Sequence, residues 1–372
     1  MWYKIKPLDT LFFRDGRPFT MGSESWAKPI FPPYPSTLYG IVRSWLIFEK
    51  GNLEDFKKEK LKEIVGTPNE KNEKLIIKGP FIANNDLLYF PLPKDLLEAK
   101  KDETLKSISL KQKSKIFISD YNLKKILLNN TQDELEESSG YFTINDLKDY
   151  LQDNHDNHYN QDNHYNLNSI KTNEILNTEL KIGIKRDKTK FTSEEGYLYK
   201  IPMIRLKENV SLTFNIEGIN NLPEKGFLPV GGEGKPVIIE KIENNLLEDL
   251  QNINFNFENK IFKIYLATPS IFENGWYPGW INKENFEGKY NNVKLKLIAC
   301  SIGKYENIGG WDICNKKPKP MYKAVPAGSV YYFKILDNTK PGKIKELFHF
   351  KNISDINPEE GFGLSLIGEV KI

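Results

Sequence analysis

The chain has 372 residues, 39% of them apolar and 12% aromatic, and its 53 lysines and arginines against 50 acidic residues leave a net charge of +3. That length exceeds one ordinary hydrophobic core and predicts two domains. Near-neutrality excludes a basic field over the whole surface, so any nucleic-acid contact has to be a local patch.

The 22 phenylalanines and 18 tyrosines favour strands over helices. Residues 2–13 alternate and predict a strand that ends in Leu11-Phe12-Phe13-Arg14-Asp15-Gly16-Arg17-Pro18-Phe19. Arg14 and Arg17 bracket an Asp-Gly turn whose glycine tolerates positive φ and whose proline fixes the exit. Two forked, permanently charged groups on a rigid loop suit phosphates, although many surface loops spend the same residues on salt bridges. Pro32, Pro33 and Pro35 then break the chain before Ser36-Thr37, a candidate helix N-cap. Leu38, Ile41, Val42, Trp45, Leu46 and Phe48 follow at helical spacing to about Lys50, with Arg43 projecting as either an RNA contact or a salt-bridged surface group. Residues 75–90 read as two strands around Asn84-Asn85-Asp86. Strand, helix and hairpin begin a βαββ unit of the ferredoxin-like kind.

From about 95 to 180 the composition turns to Lys, Asn, Asp and Glu and includes the near-repeat DNHDNHYNQDNHYN. His155, His158 and His164 there raise metal chelation, but a low-complexity insertion explains them better, and no metal or other cofactor is expected. A long hairpin is predicted from Lys181, its tip carrying Lys185, Arg186, Lys188 and Lys190 around the lone acid Asp187. A strand over 211–216 and the glycine-rich turn at Gly231-Gly232 complete a first domain, 1–240. Residues 242–258 read as helix and linker. The second domain, 241–372, has strands at 261–267, 293–302, 328–335 and 364–372 and a helix near 342–350.

Gly231-Gly232 and Gly361–Gly363 admit close backbone approach to a phosphate, or simply form tight turns. Trp276, Tyr277, Trp280 and Trp311 suit loop packing or a protein partner better than base stacking. Catalytic constellations are sparse: no phosphate-binding loop of the Walker type, no HExxH and no nucleophile elbow occurs. His349, the one histidine outside the repeat, sits in an apolar LFHF run and reads as a core residue. Cys300 and Cys314 fit neither a CxxC pair nor a zinc ribbon, so reduced thiols are expected. No apolar run approaches a membrane span, and MWYKIKPLDT lacks a signal pattern, so the expected location is the cytoplasm.

Four segments in order, LFFRDGRPF, PPYPSTLYGIVRSW, GIKRD…EEGYLY and AVPAGSVYYFK with the terminal GFGLSLIGEV, resemble the third-subunit family of type III-B CRISPR (Cmr) effector complexes, within the RAMP superfamily. The resemblance implies an α+β protein of two tandem ferredoxin-like, RRM-type domains, with the 95–180 insertion outside the match. It also implies a non-catalytic subunit that holds the 5′ tag of the guide RNA and docks onto the large cyclase/polymerase-like subunit, beside neighbouring RAMP backbone subunits. A guide-processing endoribonuclease on the same scaffold and a protein-only scaffold remain the alternatives.

Overall fold

The computed structural model describes residues 1–14, 29–101, 104–113, 123, 125–129, 132–153, 159–160, 164–165, 169–187, 189–190, 192–312 and 315–371. We label its longer elements β1 (Trp2–Pro7), α1 (Pro35–Lys50), β2 (Ile76–Asn84), β3 (Leu87–Pro91), β4 (Tyr141–Thr143), α2 (Ile144–Gln152), β5 (Leu176–Arg186), β6 (Ser193–Leu206), β7 (Val210–Glu217), β8 (Lys225–Val230), β9 (Lys235–Ile242) and β10 (Ile261–Leu266). The remainder are β11 (Glu287–Tyr290), β12 (Val293–Ser301), β13 (Trp311–Asp312), β14 (Lys317–Pro318), β15 (Val330–Ile335), α3 (Pro341–Phe348), β16 (Lys351–Asn352) and β17 (Leu364–Glu369). The chain is a mixed helix-and-strand protein. Its two compact units interleave in sequence: Met1–Asn85, Thr172–Asn244 and Asn307–Tyr322 form one, and Asp86–Lys171, Asn245–Glu306 and Lys323–Ile372 form the other.

In the first unit an antiparallel sheet runs in the order β8-β9-β1-β7-β2. Helix α1 begins one residue before the expected cap, with Pro35 in its first turn after Tyr34. Proline fits there because its fixed φ pre-sets the turn and its missing N–H has no partner to lose. Leu38, Tyr39, Ile41, Val42, Trp45 and Leu46 form the buried stripe. Trp45 stands edge-on to Tyr3 of β1 at 5.5 Å. A Cβ on Gly226 of β8 would lie 2.4 Å from the Trp45 indole nitrogen, so glycine is what lets the helix approach this edge strand. Hairpin β5–β6 is longer than the sequence suggested, with Leu176 opposite Leu206 and Ile184 opposite Leu198 before a register shift at Arg186.

The second unit is built on a sheet ordered β11-β12-β15-β10-β17-β16. Every residue of its central strand β10 is buried. Phe262, Ile264 and Leu266 join Phe333 and Phe348 in the main core. The alternate residues face α2: the Lys263 ammonium lies 3.5 Å from the Tyr150 ring centre, and Tyr265 stands edge-on to the same ring. Helix α2 lies inside the stretch expected to be low in complexity, yet it is firmly specified. Thr143 and Asp146 form a reciprocal capping box, and Leu147, Tyr150 and Leu151 are buried. Asp95, also from that stretch, is buried and accepts the hydroxyls of Tyr150 at 2.8 Å and Tyr332 at 2.5 Å. Between 242 and 258 the only α-helical segment is Glu248–Gln251. Asparagine competes for turn geometry there, as Asn245 does by accepting the N–H of Leu247 at 3.2 Å.

Candidate nucleic-acid interface

The apolar run before the arginines is held by backbone pairing. Leu11 and Ile204 of β6 exchange N–H···O=C bonds of 2.7 and 2.8 Å. Phe12 then packs with Ile201, Met203 and Tyr199 on the inner face of β6. Leu180, Ile182 and Ile184 stand exposed on β5. Gly183 makes room for Tyr199, whose ring atoms would come within 2.1 Å of a Cβ placed there. The Phe13 carbonyl accepts the N–H of Ile30 at 2.9 Å, and Arg14 bridges to Pro29, so both ends of the arginine loop are pinned. Arg14 is exposed; Arg17 lies outside the described residues.

The glycine-rich turn closes on the same strand. Gly231 has φ of +64°, and a Cβ would sit 2.5 Å from the Phe12 carbonyl oxygen. Gly232 donates its N–H to that carbonyl at 2.8 Å, and a Cβ on it would meet the Phe12 ring at 2.6 Å. This amide is therefore committed within the fold, and the glycines act by admitting Phe12. A cavity of about 460 Å³ results, walled by Phe12, Phe13, Arg14, Tyr34, Tyr199 and the Gly231–Glu233 turn. Four stretches of sequence meet there: Phe12–Arg14, the start of α1, the hairpin and the glycine turn each supply a wall.

Charge around the hairpin is ordered by partners that were not singled out from sequence. Arg205 of β6 pairs with Glu179 of β5 and reaches Asp9 at 3.3 Å, while Lys235 reaches Asp9 at 2.9 Å. The Lys235 ammonium is the main reason the Asp9 carboxyl is held down at about 2. A cross-strand Glu–Arg pairing could have been anticipated only with the hairpin register known. At the tip, Asp187 accepts the N–H groups of Thr189 at 2.7 Å and Lys190 at 3.0 Å, which keep its carboxyl below the usual range. Asp187 thus shapes the turn that displays Lys185 and Lys190, both exposed; Arg186 is placed by its backbone, and Lys188 lies outside the described residues.

Other expected site residues lie elsewhere. Arg43 donates from Nε to the Val65 carbonyl at 2.7 Å and from Nη2 to that of Thr67 at 2.6 Å, its guanidinium over the Phe56 ring. It ties α1 to the end of the short helix Lys62–Val65. Gly361 and Gly363 are buried at the start of β17, their N–H groups donated to Pro358 and Pro269 carbonyls. Tyr277 is buried, and Trp276 and Trp280 pack against the second core, Trp280 stacked on Phe333 at 5.6 Å. Trp311 is 58% exposed. His349 is buried; its Nδ1 accepts the Ile367 N–H at 3.2 Å, which leaves Nε2 to donate to the Leu250 carbonyl at 2.9 Å. Cys300 is a free thiol pushed up to about 12 by burial, and Cys314 lies outside the described residues, as do His155 and His158. Among the described residues no helix is long and apolar enough to cross a membrane.

Two antiparallel sheets, the first accompanied by a hairpin that helps wall an aromatic cavity with Arg14 at its side, define a mixed helix-and-strand protein. The chain belongs to the CRISPR-associated Cmr3 family, whose model matches residues 3–370. This is the family to which the four sequence segments pointed. It is similar to the CRISPR system CMR subunit Cmr3 of Saccharolobus solfataricus, 25% identical over 347 residues, covering 90% of this chain and 87% of that protein. In fold it resembles a chain of the cryo-EM structure of the Type III-B Cmr-beta bound to cognate target RNA. That match has a TM-score of 0.52 and 19% identity, covering 89% of this chain and 86% of the other.

Proposed function

We propose that this chain is the non-catalytic, RNA-holding subunit of a type III-B CRISPR effector complex in the cytoplasm. It grips the 5′ tag of the guide RNA and docks onto the large cyclase/polymerase-like subunit beside the RAMP backbone subunits. The observation that carries the reading is the cavity walled by Phe12, Phe13, Tyr34 and Tyr199 with Arg14 at its side. Aromatic walls receive an unpaired base, and a forked guanidinium at the rim receives its phosphate. Lys185, Lys190 and the other hairpin cations extend the backbone contact, as Arg17 does from the arginine loop. The chain's similarity to a Cmr3 protein supports the assembly.

Tandem ferredoxin-like domains are part of the proposal. Counting each sheet's four principal strands in chain order, β9-β1-β7-β2 and β17-β10-β15-β12 both read 4-1-3-2, the arrangement of a βαββαβ unit. The first four fall within 2–242 and the second within 261–369. Each domain keeps one crossover helix, α1 in the first and α3 in the second. Against the endoribonuclease alternative, His349 has both ring nitrogens engaged by backbone.

The test is isolation of the complex with Arg14→Ala/Arg17→Ala and sequencing of the retained RNA. Each lost charge-assisted hydrogen bond weakens binding by about 1.5–3 kcal/mol, and the salt dependence becomes shallower. Unchanged guide RNA retention and an unchanged salt slope would refute the assignment.

A further inference from the structure

Residues 309–320 hold a tryptophan out in solvent. Strands β13 and β14 pair with Trp311 opposite Pro318 and Asp312 opposite Lys317, and the N–H of Lys319 donates to the Gly310 carbonyl at 2.9 Å. The Asp312 carboxylate is engaged by Asn315, accepting its backbone N–H at 2.9 Å and its side-chain amide at 2.8 Å. Every residue from Asn315 to Met321 is exposed, Lys316, Lys317 and Lys319 among them. Pro318 and Pro320 fix φ and stiffen the second strand. Trp311 is 58% exposed, whereas Trp2 and Trp45 are under a tenth exposed and Trp276 and Trp280 pack on a core. An indole left in water forgoes the burial that ordinarily places this residue inside. Here it is displayed on a ribbon that also carries three exposed lysines, Lys316 in the turn and Lys317 and Lys319 at register positions on the face opposite the indole, and the one acid of the ribbon, Asp312, is held by Asn315.

We propose that this hairpin is a stacking platform for an unpaired nucleotide of bound RNA. Trp311 takes the face of the base, while Lys316, Lys317 and Lys319 take the flanking phosphates. The proposal rests on the RNA-holding reading above but assigns contact to an element which that reading does not use. An acidic protein segment would satisfy the lysines and leave the indole face without a planar partner, whereas every nucleobase has a π-face. Single-stranded RNA is thus the occupant that uses both features.

The test is titration of the full chain with a short fluorescein-labelled oligouridylate and with a duplex of equal length. Trp311→Ala should weaken single-strand binding about 5- to 150-fold, with the salt slope unchanged. Trp311→Phe should recover most of the loss. Lys316→Gln/Lys317→Gln/Lys319→Gln should lower the salt slope by about 2. All four side chains are exposed, so melting temperatures should stay at the wild-type value and exclude misfolding. Equal oligouridylate affinity for wild type and Trp311→Ala overturns the proposal. So does loss of a protein subunit from the Trp311→Ala complex with RNA affinity intact. Arg14→Ala run in parallel separates the readings: if it weakens binding and Trp311→Ala does not, the hairpin assignment alone fails. If the wild-type chain binds no RNA, both fail.

Discussion

Acid should weaken this fold through one histidine beyond what its carboxylates contribute. His349 is 6% exposed, edge-on to Phe255 at 5.2 Å and to Phe350 at 4.6 Å, with both ring nitrogens bonded to backbone. A proton added to Nδ1 would oppose the Ile367 N–H that this nitrogen now accepts. Burial, reinforced by the nearby Lys345 charge, lowers the imidazole from its ordinary 6.5 to about 4. The unfolded chain therefore takes up a proton near pH 6.5, and the folded chain only near 4. Between those values the unfolded state holds more protons, so stability is full above pH 6.5, falls as the pH drops, and levels off below 4. At about 1.4 kcal/mol per pK unit the loss is about 3 kcal/mol.

The assay is urea unfolding at pH 7.5 and 4.5 for wild type and His349→Gln, which retains an amide donor for the Leu250 carbonyl. Carboxylates titrate in both proteins, so the difference between the two pH slopes isolates the imidazole. Wild type should lose about 2–3 kcal/mol more than the variant. Ring-proton NMR gives a direct check, since the chain has 4 histidines and the signal missing from the variant should stay in its neutral position well below pH 6. A His349 signal titrating near 6.5, or parallel stability slopes, would refute the reasoning. It would also return a usable general base to the molecule and revive the endoribonuclease reading.

Arg43→Ala should cost about 2–4 kcal/mol by urea unfolding, because two carbonyl acceptors lose a charged, forked donor, and Arg43→Lys should restore only part. RNA affinity per folded molecule should not change. Gly231→Ala should destabilise the chain by about 1–3 kcal/mol, since φ is +64° and the new methyl would meet the Phe12 carbonyl at 2.5 Å. It should also weaken guide RNA retention by shifting the cavity wall, and retention at the wild-type level would separate the glycine turn from binding. Asp95→Asn should lower stability by about 1–3 kcal/mol, read in the same unfolding assay, because the buried Tyr150 and Tyr332 hydroxyls both donate to this carboxylate.

Much of the strand and helix order was legible because burial imposes a period. The α1 stripe repeats at helical spacing, and four of the six strands of the second sheet fall within a few residues of the apolar runs that announce them, whereas the short edge strands β11 and β16 carry no such run. What periodicity could not reveal was the value of the chain between 95 and 180. Composition averages over a window, and the window holding the DNHYN repeat also holds Asp95 and Tyr150, whose importance lies in a carboxylate meeting two hydroxyls, one from helix α2 and one from strand β15. A charged residue with a long-range partner carries no local signal. The hairpin base is the same case: Arg205, Glu179, Asp9 and Lys235 become a network only once the register brings them together.

For the candidate site, residue positions were more legible than residue roles. A glycine is chosen for positive φ, for a bare amide, or for the absence of a Cβ, and sequence does not separate these uses. Read as anion cradles, Gly232, Gly361 and Gly363 prove to have N–H groups committed to carbonyls, and Gly231 and Gly232 stand where a methyl would strike Phe12. The contribution of Gly231 and Gly232 is one step removed: they seat Phe12, two residues before Arg14. Arginine is ambiguous in the same way. Arg43 and Arg14 are equally cationic on paper, but one donates to the helix-end carbonyl of Val65 and to that of Thr67 just beyond it, while the other bridges to Pro29 beside an aromatic cavity. Geometry therefore separates Arg43, engaged by two carbonyls, from Arg14 at the cavity wall, a distinction that net charge alone does not make.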